Sequence, residues 1–106
     1  MTVPSSFVDD IHSDGAVWVD GCLRRPDLPP GSAEWSRGLD GGIASLTFVC
    51  PCGCGSVGAV TVRAGYGDKC CLWNGDEVRP TLTPSILKTS PCAWHGFLID
   101  GVFRSA

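Results

Sequence analysis

Two short stretches carry the side chains best suited to joint chemistry: Phe48-Val49-Cys50-Pro51-Cys52-Gly53-Cys54-Gly55, and far downstream Cys92-Ala93-Trp94-His95. A tight turn bearing thiols, stiffened by proline and relieved by glycine, is the usual half of a structural zinc site. It aims sulfurs at one point ~2.3 Å from each. Gly53 and Gly55 suit the positive φ that a wrap around a metal demands. Cys92 and His95, in a C-x2-H spacing, would supply the other half. Two thiolates of the turn with Cys92 and His95 make a Cys3His shell, and closed four-coordinate shells of this kind are structural. The expected metal residues are therefore Cys50, Cys52, Cys54, Cys92 and His95, holding one structural zinc. The turn offers three thiols where two suffice; the Cys50/Cys54 spacing falls inside the ordinary range, and which two bind stays open.

The competing reading is a disulfide framework or plain buried thiols. Seven cysteines in 106 residues are dense enough for one. The count is odd, and Met1 to Asp10 shows neither a basic segment nor an apolar core of a secretory signal. Clustered cysteines with a spaced histidine then point to metal, in a cytoplasmic protein of a bacterial cell. The net charge of −3 opposes a nucleic-acid footprint. No apolar run of membrane-spanning length occurs.

The elements that must position these residues read as mainly β. In Ile43 to Val49, Leu46 and Phe48 share one face, and Val57 to Arg63 resumes the alternation. These two runs form a hairpin with the cysteine turn at its tip. Trp94 to Ile99 and Val102 to Arg104 flank Asp100-Gly101, the strongest hairpin cue in the chain. Ala16 to Val19 reads as a brief strand closed by Asp20-Gly21, and Cys70 to Trp73 as another. Asn74-Gly75 suits a tight hairpin turn. Arg79 to Ile86, with two prolines, reads as extended, against a short helix starting at Pro84. Ser32 to Gly38 reads as a helical turn capped by Ser32, and Arg24-Arg25 as a solvated pair in a proline-rich loop. The sum is one zinc-ribbon-like domain of β-hairpins stapled by a zinc site, with room for one short helix. Residues 1–42 form an irregular lead-in, and 43–106 the β-rich zinc core.

Four motifs occur in order: Cys-Pro-Cys-Gly-Cys-Gly at 50–55, Trp-Asn-Gly-Asp at 73–76, Pro-Thr-Leu-Thr-Pro-Ser at 80–85 and Trp-His-Gly-Phe-Leu-Ile-Asp-Gly-Val at 94–102. Over about residues 45–105 the chain resembles a family of small bacteriophage and prophage proteins carrying a domain of unknown function. The resemblance implies zinc, with Cys50, Cys54 and His95 matching the family's turn and late histidine. Some members add a Cys or His past the last hairpin; here Arg104-Ser105-Ala106 stand there, which shifts the fourth ligand to Cys92 or a second turn thiol.

On function, the small size, the closed ligand set and the tryptophans (Trp18, Trp35, Trp73, Trp94) point to a phage-encoded, zinc-stapled protein-interaction module. Its partner would be a host or phage protein, which it modulates or inhibits. The alternatives are a nucleic-acid-binding zinc ribbon using Arg24, Arg25, Arg63, Arg79 and Arg104, and a small zinc-dependent enzyme. A deaminase needs a His-x-Glu element, and neither Glu34 nor Glu77 stands near a histidine. A Cys92/His95 nucleophile pair lacks an orienting third group. The reading leans away from an enzyme.

Overall fold

The structure is a computed structural model, and it describes residues 2–8, 11, 16–19, 22–63, 72–88 and 92–106. Eleven strands are found among them and no helix, so no helix is long and apolar enough to cross a membrane. They are β1 (Thr2–Pro4), β2 (Ser6–Phe7), β3 (Val17–Val19), β4 (Cys22–Arg24), β5 (Ser32–Arg37), β6 (Ile43–Val49), β7 (Val57–Thr61), β8 (Leu72–Trp73), β9 (Leu82–Leu87), β10 (His95–Ile99) and β11 (Val102–Ser105). One sheet runs β1-β11-β10-β9-β8, a second β2-β5-β6-β7, and β3-β4 make a separate hairpin. The expected mainly β architecture is what forms.

Hydrophobic burial joins the two sheets. Leu46 and Phe48 from β6, Leu82 and Ile86 from β9, Leu98 from β10 and Phe103 from β11 are buried in one cluster with Ala33, Cys50 and Trp94. Phe48 and Phe103 meet across it with ring centroids 5.3 Å apart, within the favourable range for aromatic pairs. Val49 and Thr47, on the other side of β6, are buried too, so this strand is covered on both faces. Cys50, the first thiol, is wholly buried at its end.

Local signals were obeyed where they were short in range. β6 and β7 pair in register, Val49 opposite Val57, and place the cysteine turn at the hairpin tip. Asp100 and Gly101 have φ of 50° and 76°, the double positive values of a type I′ turn between β10 and β11. β3 pairs with β4 as a hairpin whose turn residues lie outside those described, as do Cys70 and Cys71.

Three expectations are corrected. Residues 1–42 are not an irregular lead-in: β1 pairs with β11, β2 pairs parallel with β5, and between them Ser5 donates through both its N–H and Oγ to the Gly101 carbonyl. The first strands thus tie one sheet to the other. Ser32–Arg37 is a strand and not a helical turn. Its pairing with β6 and the packing of Trp35 between Phe7 and Trp73 outweigh a weak local preference, and the Ser32 hydroxyl donates back to the Pro29 carbonyl. Asn74-Gly75 does not close a tight hairpin. Asn74 Oδ1 accepts from the N–H groups of Asp76 and Thr81, and Asp76 Oδ1 from those of Val78 and Arg79. These side chains satisfy a wide loop that leads into β9, which is extended as expected.

One irregularity in the first sheet matters below. β10 meets β9 with His95 opposite Leu87, Gly96 opposite Ile86 and Leu98 opposite Leu82. Between the last two pairs Phe97 alone stands against Thr83, Pro84 and Ser85, so β9 bulges there. Bulges of this kind re-aim side chains and free ladder groups.

Candidate functional site

The turn after β6 is built by backbone contacts that precede any metal. Cys50 N–H donates to the Ser56 carbonyl at 2.8 Å, Gly53 N–H to the Cys50 carbonyl at 3.2 Å, and Arg25 N–H to the Gly55 carbonyl at 2.9 Å. Gly53 has φ of 92° with open space where a Cβ would stand, so glycine serves the backbone conformation there and not a steric need. The loop directs Cys50, Cys52 and Cys54 to one point, where Cys92 meets them from the other sheet.

All four sulfurs lie within 4.8 Å of one another. Cys50 Sγ is 3.3 Å from Cys52 Sγ and 3.4 Å from Cys92 Sγ, and Cys92 Sγ is 3.5 Å from both Cys52 and Cys54. A tetrahedron with metal–sulfur bonds of ~2.3 Å has edges of ~3.8 Å, so these separations are a few tenths of an ångström from a closed four-thiolate shell. The donor set fits a metal ion that accepts four soft ligands. The extra turn thiol is thereby used: all three bind-competent cysteines of the turn converge, and Cys92 completes the set.

His95 does not join them. It begins β10 with its side chain exposed, one face away from the buried Gly96 and Leu98, and its ring lies 6.2 Å from that of Phe97. Strand alternation sets this outcome: what reaches the core on β10 is 96 and 98, so 95, 97 and 99 face outward. Cys22, on β4, also stands outside the cluster.

The electrostatics around the thiols are uneven. Burial pushes the Cys50 thiol far above its ordinary range and raises Cys52 as well. Burial also raises Cys54, but hydrogen bonds from the Ser56 hydroxyl and N–H, and from the Cys52 and Cys92 thiols, together outweigh it and bring that thiol down to about 6. Ser56 Oγ lies 2.9 Å from Cys54 Sγ and accepts from Lys88 Nζ at 2.6 Å. Arg24 donates through Nη1 to the Cys54 carbonyl at 2.9 Å, while its buried Nε has no hydrogen-bond partner among the described residues. Arg25 is buried, bonding the Ile11 carbonyl and both carboxylate oxygens of Asp27. The arginine pair expected to be solvated instead braces the turn.

A second arrangement lies on the outward side of the first sheet. Leu87, opposite His95, is exposed, and Ser85 lies two residues before it. Ile86 points into the core, so Ser85 beside it turns toward the outward face that carries His95. Exposed Leu72, Phe97 and Ile99 lie on the same face. Ser85 ends the Pro-Thr-Leu-Thr-Pro-Ser motif, in which nothing local marks it as a nucleophile. Ten residues separate it from His95, and only the strand register makes them neighbours. Ser56 and Lys88 were also missed; they stand 32 residues apart and meet only through the packing of the two sheets. Serine–lysine pairs do serve as nucleophiles elsewhere, but Ser56 is 0% exposed and Lys88 8%. A sealed hydroxyl cannot reach a substrate carbonyl, which assigns this pair to the surroundings of the cysteine cluster.

A family model described as "bacterial ubiquitination-like system serine protease (BubE)" matches residues 23–106. No curated protein and no solved structure matches. The match corrects the expected phage-encoded interaction module acting on a host protein, since the description names a protease of a bacterial ubiquitination-like system. It spans the turn, the cluster and both Ser85 and His95, from β4 to the last residue: the chain belongs to the bacterial ubiquitination-like system serine protease family, BubE.

Proposed function

We propose that this chain is a serine protease of a ubiquitination-like system, with Ser85 as nucleophile, His95 as general base, and one structural zinc held by Cys50, Cys52, Cys54 and Cys92. The observation that carries the reading is the register of β9 and β10, which gives Ser85 and His95 diagonal positions on one outward face, beside a bulge. Diagonal neighbours on antiparallel strands lie about 7–8 Å apart at Cα, within reach of longer side chains. Nucleophile–base contacts are commonly loose until substrate binds. Among the described residues His95 is the sole histidine, and a serine needs such a base because its hydroxyl is a weak nucleophile alone.

The steps follow from the two side chains. His95 takes the Ser85 hydroxyl proton as Oγ attacks the scissile carbonyl, and passes it to the departing amine as the acyl-serine forms. Water then attacks the acyl carbon, with His95 again removing the proton, and Ser85 is regenerated. Cys50, Cys52, Cys54 and Cys92 would hold the zinc, which would supply fold stability there.

A fluorophosphonate probe tests the assignment. The wild-type protein should be labelled on Ser85, and Ser85→Ala and His95→Ala should each lose labelling by at least about 1000-fold. Ser6→Ala, an exposed serine in the other sheet, should be labelled as wild type. Labelling that persists in Ser85→Ala would sink the assignment.

A further inference from the structure

We infer that Lys88, acting through Ser56, is the countercharge that the four-thiolate metal centre requires. The inference rests on the metal reading above and extends it to residues outside the ligand set. A divalent ion with four thiolates carries a net charge of −2, and a charge at a partly buried site is costly unless opposite charge or hydrogen bonds meet it. Cys50 at this site is wholly buried.

The geometry supplies one answer. Lys88 follows β9 in the first sheet, and its N–H donates to the Trp94 carbonyl at 2.8 Å. Its stem crosses to the second sheet over Gly58 of β7. A Cβ placed on Gly58 would come within 3.1 Å of Lys88 Cδ and 3.2 Å of Cε, so glycine there leaves the passage open. The ammonium ends on Ser56 Oγ at 2.6 Å, and that oxygen is 2.9 Å from Cys54 Sγ. The direction of the chain is forced once Cys54 is a thiolate. An ammonium can only donate, and a thiolate can only accept. Ser56 therefore accepts from Lys88 with its lone pair and gives its own proton to the sulfur.

Lysine is mostly found at the surface, and its near-complete burial here calls for a partner. Arg24, with its guanidinium on the Cys54 carbonyl, adds a second cation on the same segment. Both positive charges converge on the Cys54–Ser56 end of the cluster, where the sulfur is half-buried and bonded by the serine. Ser56 and Lys88 are positioning residues for the metal: Ser56 touches a ligand, Lys88 acts on it through Ser56, and neither touches the ion.

The test is zinc affinity, measured by chelator competition on purified full-length protein, with cobalt substituted for zinc as a spectroscopic check on thiolate coordination. Lys88→Met keeps the stem and removes the charge; Ser56→Ala removes the relay and leaves the charge. Each should weaken zinc binding about 10- to 100-fold, the usual cost of losing an outer partner of a metal ligand. The double variant should lose no more than the worse single one, because both act on one path. Wild-type affinity in Ser56→Ala would overturn the inference, and so would wild-type affinity in a folded Lys88→Met. If Lys88→Met does not fold, Ser56→Ala alone decides. Failure of the wild-type protein to bind zinc or cobalt would instead overturn the metal reading itself.

Discussion

The two chemically equipped regions of this protein are built in opposite ways. The cysteine centre is closed: its ligands come from segments flanking strands of both sheets, and its turn is held by its own backbone hydrogen bonds and braced by Arg24 and Arg25. The β9–β10 face is open: Ser85 and His95 stand on strands whose inward residues, Ile86 and Leu98, do the packing. The difference teaches a division of labour. Side chains facing inward hold the fold, so changing them costs stability. Side chains one residue away face solvent, so changing them costs chemistry and little else.

The largest effect should come from the closed region. Cys54→Ser, or removal of the metal by a chelator, should abolish cooperative unfolding, because small metal-stapled folds lose structure with their ion. A native circular dichroism spectrum with a sharp melt in the chelated protein would erase the distinction between the regions. Next comes the open face. Beyond the labelling loss expected of them, Ser85→Ala and His95→Ala should change unfolding free energy by no more than about 0.5 kcal/mol, as surface substitutions usually do. A urea titration checks it, and a large loss would mean that this face is structural after all.

A core substitution calibrates the comparison. Phe48→Ala, at the centre of the cluster that joins the sheets, should cost about 3–5 kcal/mol in the same titration. The smallest effect belongs to the surface pair Arg63–Asp40, where the guanidinium holds the Asp40 carboxyl well below the usual range. Arg63→Ala should leave the urea midpoint almost unchanged, since both partners are substantially exposed.

The sequence by itself determined the parts whose causes are local. Cysteines separated by one residue, with Pro51 and two glycines, specify a thiol-bearing turn wherever they stand. Alternation in 43–49 and 57–61 then makes it a hairpin tip, and Asp100-Gly101 closes the last hairpin through its own φ preferences. Tertiary structure decided whatever depended on register between distant strands. Cys92 and His95 are three residues apart, yet the strand that starts at His95 turns its ring outward, and the fourth position goes to the third turn thiol. Ser32–Arg37 has a weak helical preference that pairing with β6 overrides. Ser85 shares an outward face with His95 only through the register of β9 on β10, and Lys88 meets Ser56 only because two sheets pack on one core: such arrangements join residues that no spacing rule connects, and burial of that core selects the register that creates them.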